Sequence, residues 1–99
     1  MENKRILRLQ ELLQRELSQV LLREIEFSPQ TLVTVSSVQV SPDLQHANIY
    51  ISVIPEGKER EVMSILQRNV FHIQQIMNKK LLMRQVPKIA FEMAMWPSG

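Results

Sequence analysis

The 99-residue chain has no cysteine. That excludes disulfides, thiolate nucleophiles and sulfur-ligated metals together, and it agrees with a reducing compartment. Glycine occurs only at Gly57 and Gly99, too sparsely for a phosphate-cradling loop. Asp43 is the sole aspartate, and His46 and His72 are the only histidines, so no tight metal-ligand spacing exists. A Ser-His-Asp set has no nucleophile elbow to support it. Glu59 and Glu61 stand two apart on an expected helix, where side chains diverge rather than pair. The inventory points away from an enzyme, a metal site or any cofactor. No apolar run is long enough to cross a bilayer, and the opening Met-Glu-Asn-Lys-Arg does not read as a secretory signal. A cytoplasmic protein with no membrane partner is the expectation.

What the sequence does contain is a foldable apolar pattern and an uneven distribution of charge. The hydrophobic fraction of 44% suits a globular chain, and the length suits one domain, residues 1–99. A chain this short must draw its core from most of its helices and strands. Residues 1–31 carry five basic and five acidic side chains, whereas residues 58–88 carry seven basic and two acidic, a local balance of +5. Positive charge concentrated on one segment is the footprint of a polyanionic partner; a merely solvated helix face is the alternative.

Hydrophobic periodicity divides the chain. Ile6, Leu9, Leu13, Leu17 and Val20 form one helical stripe over residues 4–23, which must end before Ser28-Pro29. Glu11 and Arg15 are spaced for an ion pair on that helix. Residues 32–40 are β-branched and read as a strand. Their apolar phase slips at Ser36-Ser37, which predicts a bulge. After the turn signal Ser41-Pro42-Asp43-Leu44, residues Ala47, Ile49, Ile51 and Val53 alternate with polar neighbours, so the two strands should form an antiparallel hairpin. A long helix is expected over 58–82, kinked near Asn69-Val70 because of its length. Val86-Pro87 stops it, and Ile89, Phe91, Met93 and Met95 mark a third strand. A three-stranded sheet covered by helices on one face is the α+β arrangement that buries these stripes.

The basic residues are the sharpest functional signal. Lys79, Lys80, Arg84 and Lys88 run from the end of the long helix into the third strand. If the helix continues, Lys80 and Arg84 share a face one turn apart, suited to phosphate oxygens. Arg5 and Arg8, with Lys4 beside them, could extend that surface. Arg68, Asn69 and His72 near the expected kink are weaker candidates. His46 and Tyr50 share the polar face of the second strand and could stack on bases, although an ordinary exposed face explains them as well. Methionines 63, 77, 83, 93 and 95 read as core fillers, and Trp96 as a sheet cap or partner contact.

Two stretches carry a family resemblance. Val38–Val53 resembles the hairpin of the ribosome-binding factor A family, with Val40, Ser41, Asp43, Leu44, Ala47, Tyr50, Ser52 and Val53 in matching places. Leu81–Phe91 is similar to that family's Leu-x-Leu-Arg-x-Val-Pro-x-Leu-x-Phe. The first helix, with Arg5, Leu9, Leu12 and Glu16, adds weaker support. The resemblance implies a type II KH-like fold in the order α-β-β-α-(kink)-α-β. It implies no catalysis, binding to the small (30S) ribosomal subunit and its 16S rRNA late in maturation, support of growth in the cold and action alongside assembly GTPases; a monomeric chain is expected beside it. The family breaks its long helix at an Ala-x-Gly kink; here Asn69-Val70-Phe71 stands there, with Ile76 where an acidic residue often follows. Phe71 cannot relieve strain as glycine does, so a milder kink or an inward-packed Phe71 is expected. Two other readings stand beside this one: a protein–protein adaptor pairing through Ile6, Leu9, Leu13 and Leu17, and a generic RNA chaperone without ribosome preference.

Overall fold

In a computed structural model, which describes residues 3–94, the first helix starts where a capping side chain permits it. The Arg5 backbone N–H donates to Asn3 Oδ1 at 2.8 Å, satisfying one of the donors that a helix N-terminus leaves open. Helix α1 (Lys4–Glu24) buries Leu9, Leu13, Leu17 and Val20 of the stripe read from the periodicity, together with Leu21. Ile6 and Leu12 pack beside it, half-buried. Arg15 lies 3.7 Å from Glu16 rather than turning back to Glu11. The chain leaves the helix at Ile25 in an extended conformation and turns over Ser28–Thr31.

Strands β1 (Leu32–Val40) and β2 (His46–Ile54) pair antiparallel. The register shifts between Val35 and Ser37, so Ser36 is the extra residue of a bulge. This brings Val35, Val38 and Val40 onto one buried face although their sequence phases differ. The Gln14 amide of α1 donates to the Val35 carbonyl at 3.0 Å, and the Val40 N–H donates to Gln10 Oε1 at 3.0 Å. The helix thus covers part of an edge strand that would otherwise present open backbone groups. The connecting turn is held by Asp43, whose Oδ1 accepts from the Ser41 hydroxyl at 2.6 Å and the Gln45 N–H at 3.1 Å. These bonds hold Leu44 at φ 63°, a left-handed conformation uncommon outside glycine.

Helix α2 spans Glu59–Lys80 and strand β3 spans Lys88–Met93. β3 pairs parallel with β2, giving the sheet order β1-β2-β3. Ala47, Ile49, Ile51 and Val53 of the central strand are all buried beneath the two helices, and the alternate residues form the uncovered face. The architecture is the expected α+β layer, with one correction. The stretch expected to hold a kink between two helices is a single helix without interruption. No glycine or proline occurs within it to break the backbone hydrogen-bond ladder. Nor does Phe71 pack inward: it is 72% exposed. Among the methionines, Met77 is fully buried and Met63, Met83 and Met93 are half-buried. Met95 and Trp96 lie outside the described residues.

Candidate nucleic-acid interface

No acidic residue occurs between Glu61 and Glu92, a stretch that holds Arg68, Lys79, Lys80, Arg84 and Lys88. The fold distributes these cations unequally. Val62, Leu66, Ile73 and Met77 face the core, so the opposite side of α2 meets solvent. Arg68, Phe71, His72, Gln75 and Lys79 recur at helical spacing along that side and are all exposed, while the first turn of the same side carries Arg60 and Glu61, both exposed. Arg68 and Lys79 are separated by about 16 Å of helix rise. Asn69, half-buried, spends its amide on the Ile65 carbonyl and stands off this row.

Three expected members occupy other positions. Lys80 Nζ lies 3.1 Å from Glu16 Oε1, an ion pair that ties the end of α2 to α1. The Lys80 ammonium, hydrogen-bonded to Glu16, holds that carboxyl below its ordinary value, with Arg15 adding to the effect. Lys80 is therefore partly neutralised, for a reason that sequence spacing could not supply. Arg84 is not one helical turn beyond Lys80. The helix ends with Lys80, because Leu81 turns extended and buries its side chain, its N–H still reaching the Met77 carbonyl at 3.0 Å. Arg84 stands exposed in the connection to β3.

Lys88 opens β3 opposite His46. It alternates with buried Ile89 and Phe91, which places it on the uncovered sheet face with Ala90 and Glu92. The Gln74 side chain fixes this strand entry, donating to the Pro87 carbonyl at 3.1 Å and accepting from the Ile89 N–H at 2.8 Å. The expectation of one continuous basic surface is corrected accordingly: the Arg68–Lys79 row lies on the outer side of the helix layer, and Lys88 lies on the other face of the sheet. Arg5 and Arg8 are exposed at the start of α1, Arg5 on the Glu16 side about three turns away.

The structure also bears on the adaptor reading. Leu9, Leu13 and Leu17 are 8%, 0% and 0% exposed, so the stripe proposed to meet a partner helix is already part of the core. A groove of about 460 Å³ between α1 and β1, lined by Leu21, Leu22, Phe27 and Val33 among others, is mainly apolar and offers phosphate nothing. Among the described residues, no group of three or more His, Asp or Glu is placed to hold a metal ion, and no helix is long and apolar enough to cross a membrane. The outward position of Phe71 follows from the spacing Arg68, Phe71, Gln75 only on a continuous helix, and the expected kink conceals that signal in the sequence.

Comparison with known proteins agrees with this fold. The family model for ribosome-binding factor A matches residues 5–94. A ribosome-binding factor A from Bdellovibrio bacteriovorus is 35% identical over 91 residues, which cover 91% of this chain and 68% of that protein. The crystal structure of ribosome-binding factor A from Thermus thermophilus superposes with a TM-score of 0.76 at 21% identity, covering 95% of this chain and 98% of that one. A homology model of the Thermus thermophilus factor, fitted into the cryo-EM map of a 30S–RbfA complex, superposes with a TM-score of 0.61 at 24% identity, covering 81% of this chain and 89% of that one. On the strength of a match spanning nearly all of its described residues, the chain belongs to the ribosome-binding factor A family.

Proposed function

We propose that this protein is a non-catalytic assembly factor of the small ribosomal subunit, binding immature 16S rRNA in the cytoplasm during its late maturation. The observation that carries the reading is the outer side of α2 from Arg68 to Lys79, beyond the exposed Glu61 of its first turn and free of carboxylates along that length, within a chain whose relatives are named for binding the ribosome. A related factor has been fitted into a 30S complex, which makes the small subunit the partner of choice. Lys79 and Arg68 supply the principal phosphate contacts, His72 lies between them, and Arg84 contributes from the adjoining connection. Lys88, Arg5 and Arg8 play supporting parts at most, since they stand on other surfaces. Binding of this kind needs no bond-making chemistry: a protein that prefers one RNA conformation shifts the population toward it. Concerted action with assembly GTPases, a monomeric state and a role in cold growth belong to the same proposal.

Charge reversal at Arg68 and Lys79 tests it. Each phosphate contact contributes close to one unit to the slope of log affinity against log salt. The double variant R68E/K79E is expected to keep its fold, lose binding to purified small subunits and flatten the salt dependence. Unchanged binding, or wild-type affinity that is flat between low and moderate salt, refutes the phosphate account. Co-sedimentation with small subunits in lysate, rather than with bulk RNA, separates this reading from a general RNA chaperone.

A further inference from the structure

Phe71 is a large aromatic side chain, 72% exposed in the middle of the cationic row on α2. Burial does not account for it, because the core takes Val62, Leu66, Ile73 and Met77 from the other side of the same helix. Arg68 precedes it by one turn, Gln75 follows by one turn, and His72 and Lys79 flank it on the same exposed side. An apolar ring with cations along its row and no acidic residue for thirty positions of sequence, 62–91, suits one class of ligand: a polyanion that also carries flat apolar faces. Single-stranded nucleic acid is such a ligand, and aromatic platforms beside phosphate-binding cations are how proteins hold unpaired bases.

We propose that Phe71 is a stacking platform for one unpaired RNA base, with Arg68 and Lys79 engaging the phosphates on either side. The inference rests on the assignment of α2 to RNA binding and adds what that assignment lacks, a preference for single-stranded over duplex RNA. A duplex hides its base faces, so only the phosphate contacts remain available to it. The ring on its helix is rigid and outward-pointing, so little order has to be imposed on the protein when a base stacks.

The test uses the full chain and a short mixed-sequence oligoribonucleotide, in three forms: single-stranded, annealed to its complement, and with the bases replaced by abasic sites. Phe71→Ala leaves the helix intact, as far-UV circular dichroism will show, since the site is exposed and alanine favours helix. The expected result is a loss of about five- to 150-fold in affinity for the single strand, the usual range for one stacked base. No loss is expected for the abasic chain, little for the duplex, and the salt slope stays as in the wild type. Phe71→Trp should retain affinity, whereas Phe71→Leu, apolar but without a ring, should fall with alanine. Equal affinity of wild type and F71A for the single strand overturns the stacking assignment. If affinity for whole subunits drops nonetheless, Phe71 meets a protein there and not a base. Retained salt-dependent binding that R68E/K79E abolishes would show that only the stacking assignment had failed. A wild-type chain that binds none of the RNA forms refutes the RNA reading itself.

Discussion

Glu16 and Asp43 show how single carboxylates govern this molecule. Glu16 is the counter-charge of Lys80, at 3.1 Å, and under the proposed RNA reading it competes with phosphate for this helix-end cation. Glu16→Gln removes that competition and releases the ammonium. The expected outcome is tighter RNA binding and a salt slope steeper by up to about one unit, measured by titration at several salt concentrations. A slope that stays as in the wild type would place Lys80 outside the interface. Asp43 acts on the fold rather than the ligand. The Ser41 hydroxyl and then the Gln45 N–H hold its carboxyl below the ordinary 3.8, because both donate to the charged form. A carboxylate whose folded value is depressed contributes stability above its unfolded value and loses it as pH falls through the folded one. Asp43→Ala should therefore lower Tm at neutral pH. The gap to wild type should narrow only as pH drops below about 4, and melting curves across that range will show it.

Helix α2 joins the core to the candidate interface. Its continuity has a measurable consequence at Phe71, where the family's kink carries glycine. Restoring glycine in an exposed, unbroken helix is expected to cost about 1 kcal/mol relative to alanine, read from urea denaturation. Equal stability of the F71G and F71A variants would mean that the helix is already broken there. Gln74 links the same helix to β3 through hydrogen bonds of 3.1 Å and 2.8 Å to backbone on either side of Lys88. Gln74→Leu leaves a carbonyl and an N–H without these partners, a loss of about 1–3 kcal/mol, with faster amide exchange at Ile89 as the local sign. What the sequence revealed and concealed divides along the same line. The strand alternation Ala47-Ile49-Ile51-Val53 and the phase slip at Ser36 are local patterns, visible without tertiary knowledge, and both are present in the fold. The partner of Lys80 is on another helix, and the helix end at Leu81 is set by that side chain entering the core, so neither could be read from spacing. For that reason Arg84 lies beyond the helix and not one turn after Lys80 on its face. The alternation of Ile89, Phe91 and Met93 sets Lys88 in the opposite phase of its strand, but that the helices cover the other face, parting Lys88 from Lys79, is tertiary information.

At the scale of the whole molecule, the deciding question is whether α1 is a structural member or an arm for a partner. Its stripe is shared with the sheet: Leu13 and Leu17 are fully buried in the same core as Ile49, Ile51, Leu66 and Ile73. A chain of 99 residues has few such positions to spare, and its net stability is a small remainder of large opposing contributions. Leu13→Ala removes buried methyl groups and leaves a cavity, with an expected cost of about 2–5 kcal/mol. Because one core joins both helices to the sheet, that cost should shift the single cooperative transition of the entire domain. Unfolding followed by far-UV circular dichroism and by near-UV circular dichroism should move together. If α1 were a detachable arm, L13A would instead leave the sheet's transition in place and weaken only a partner contact. Coincident curves displaced to lower denaturant assign the helix to the fold and not to a partner contact.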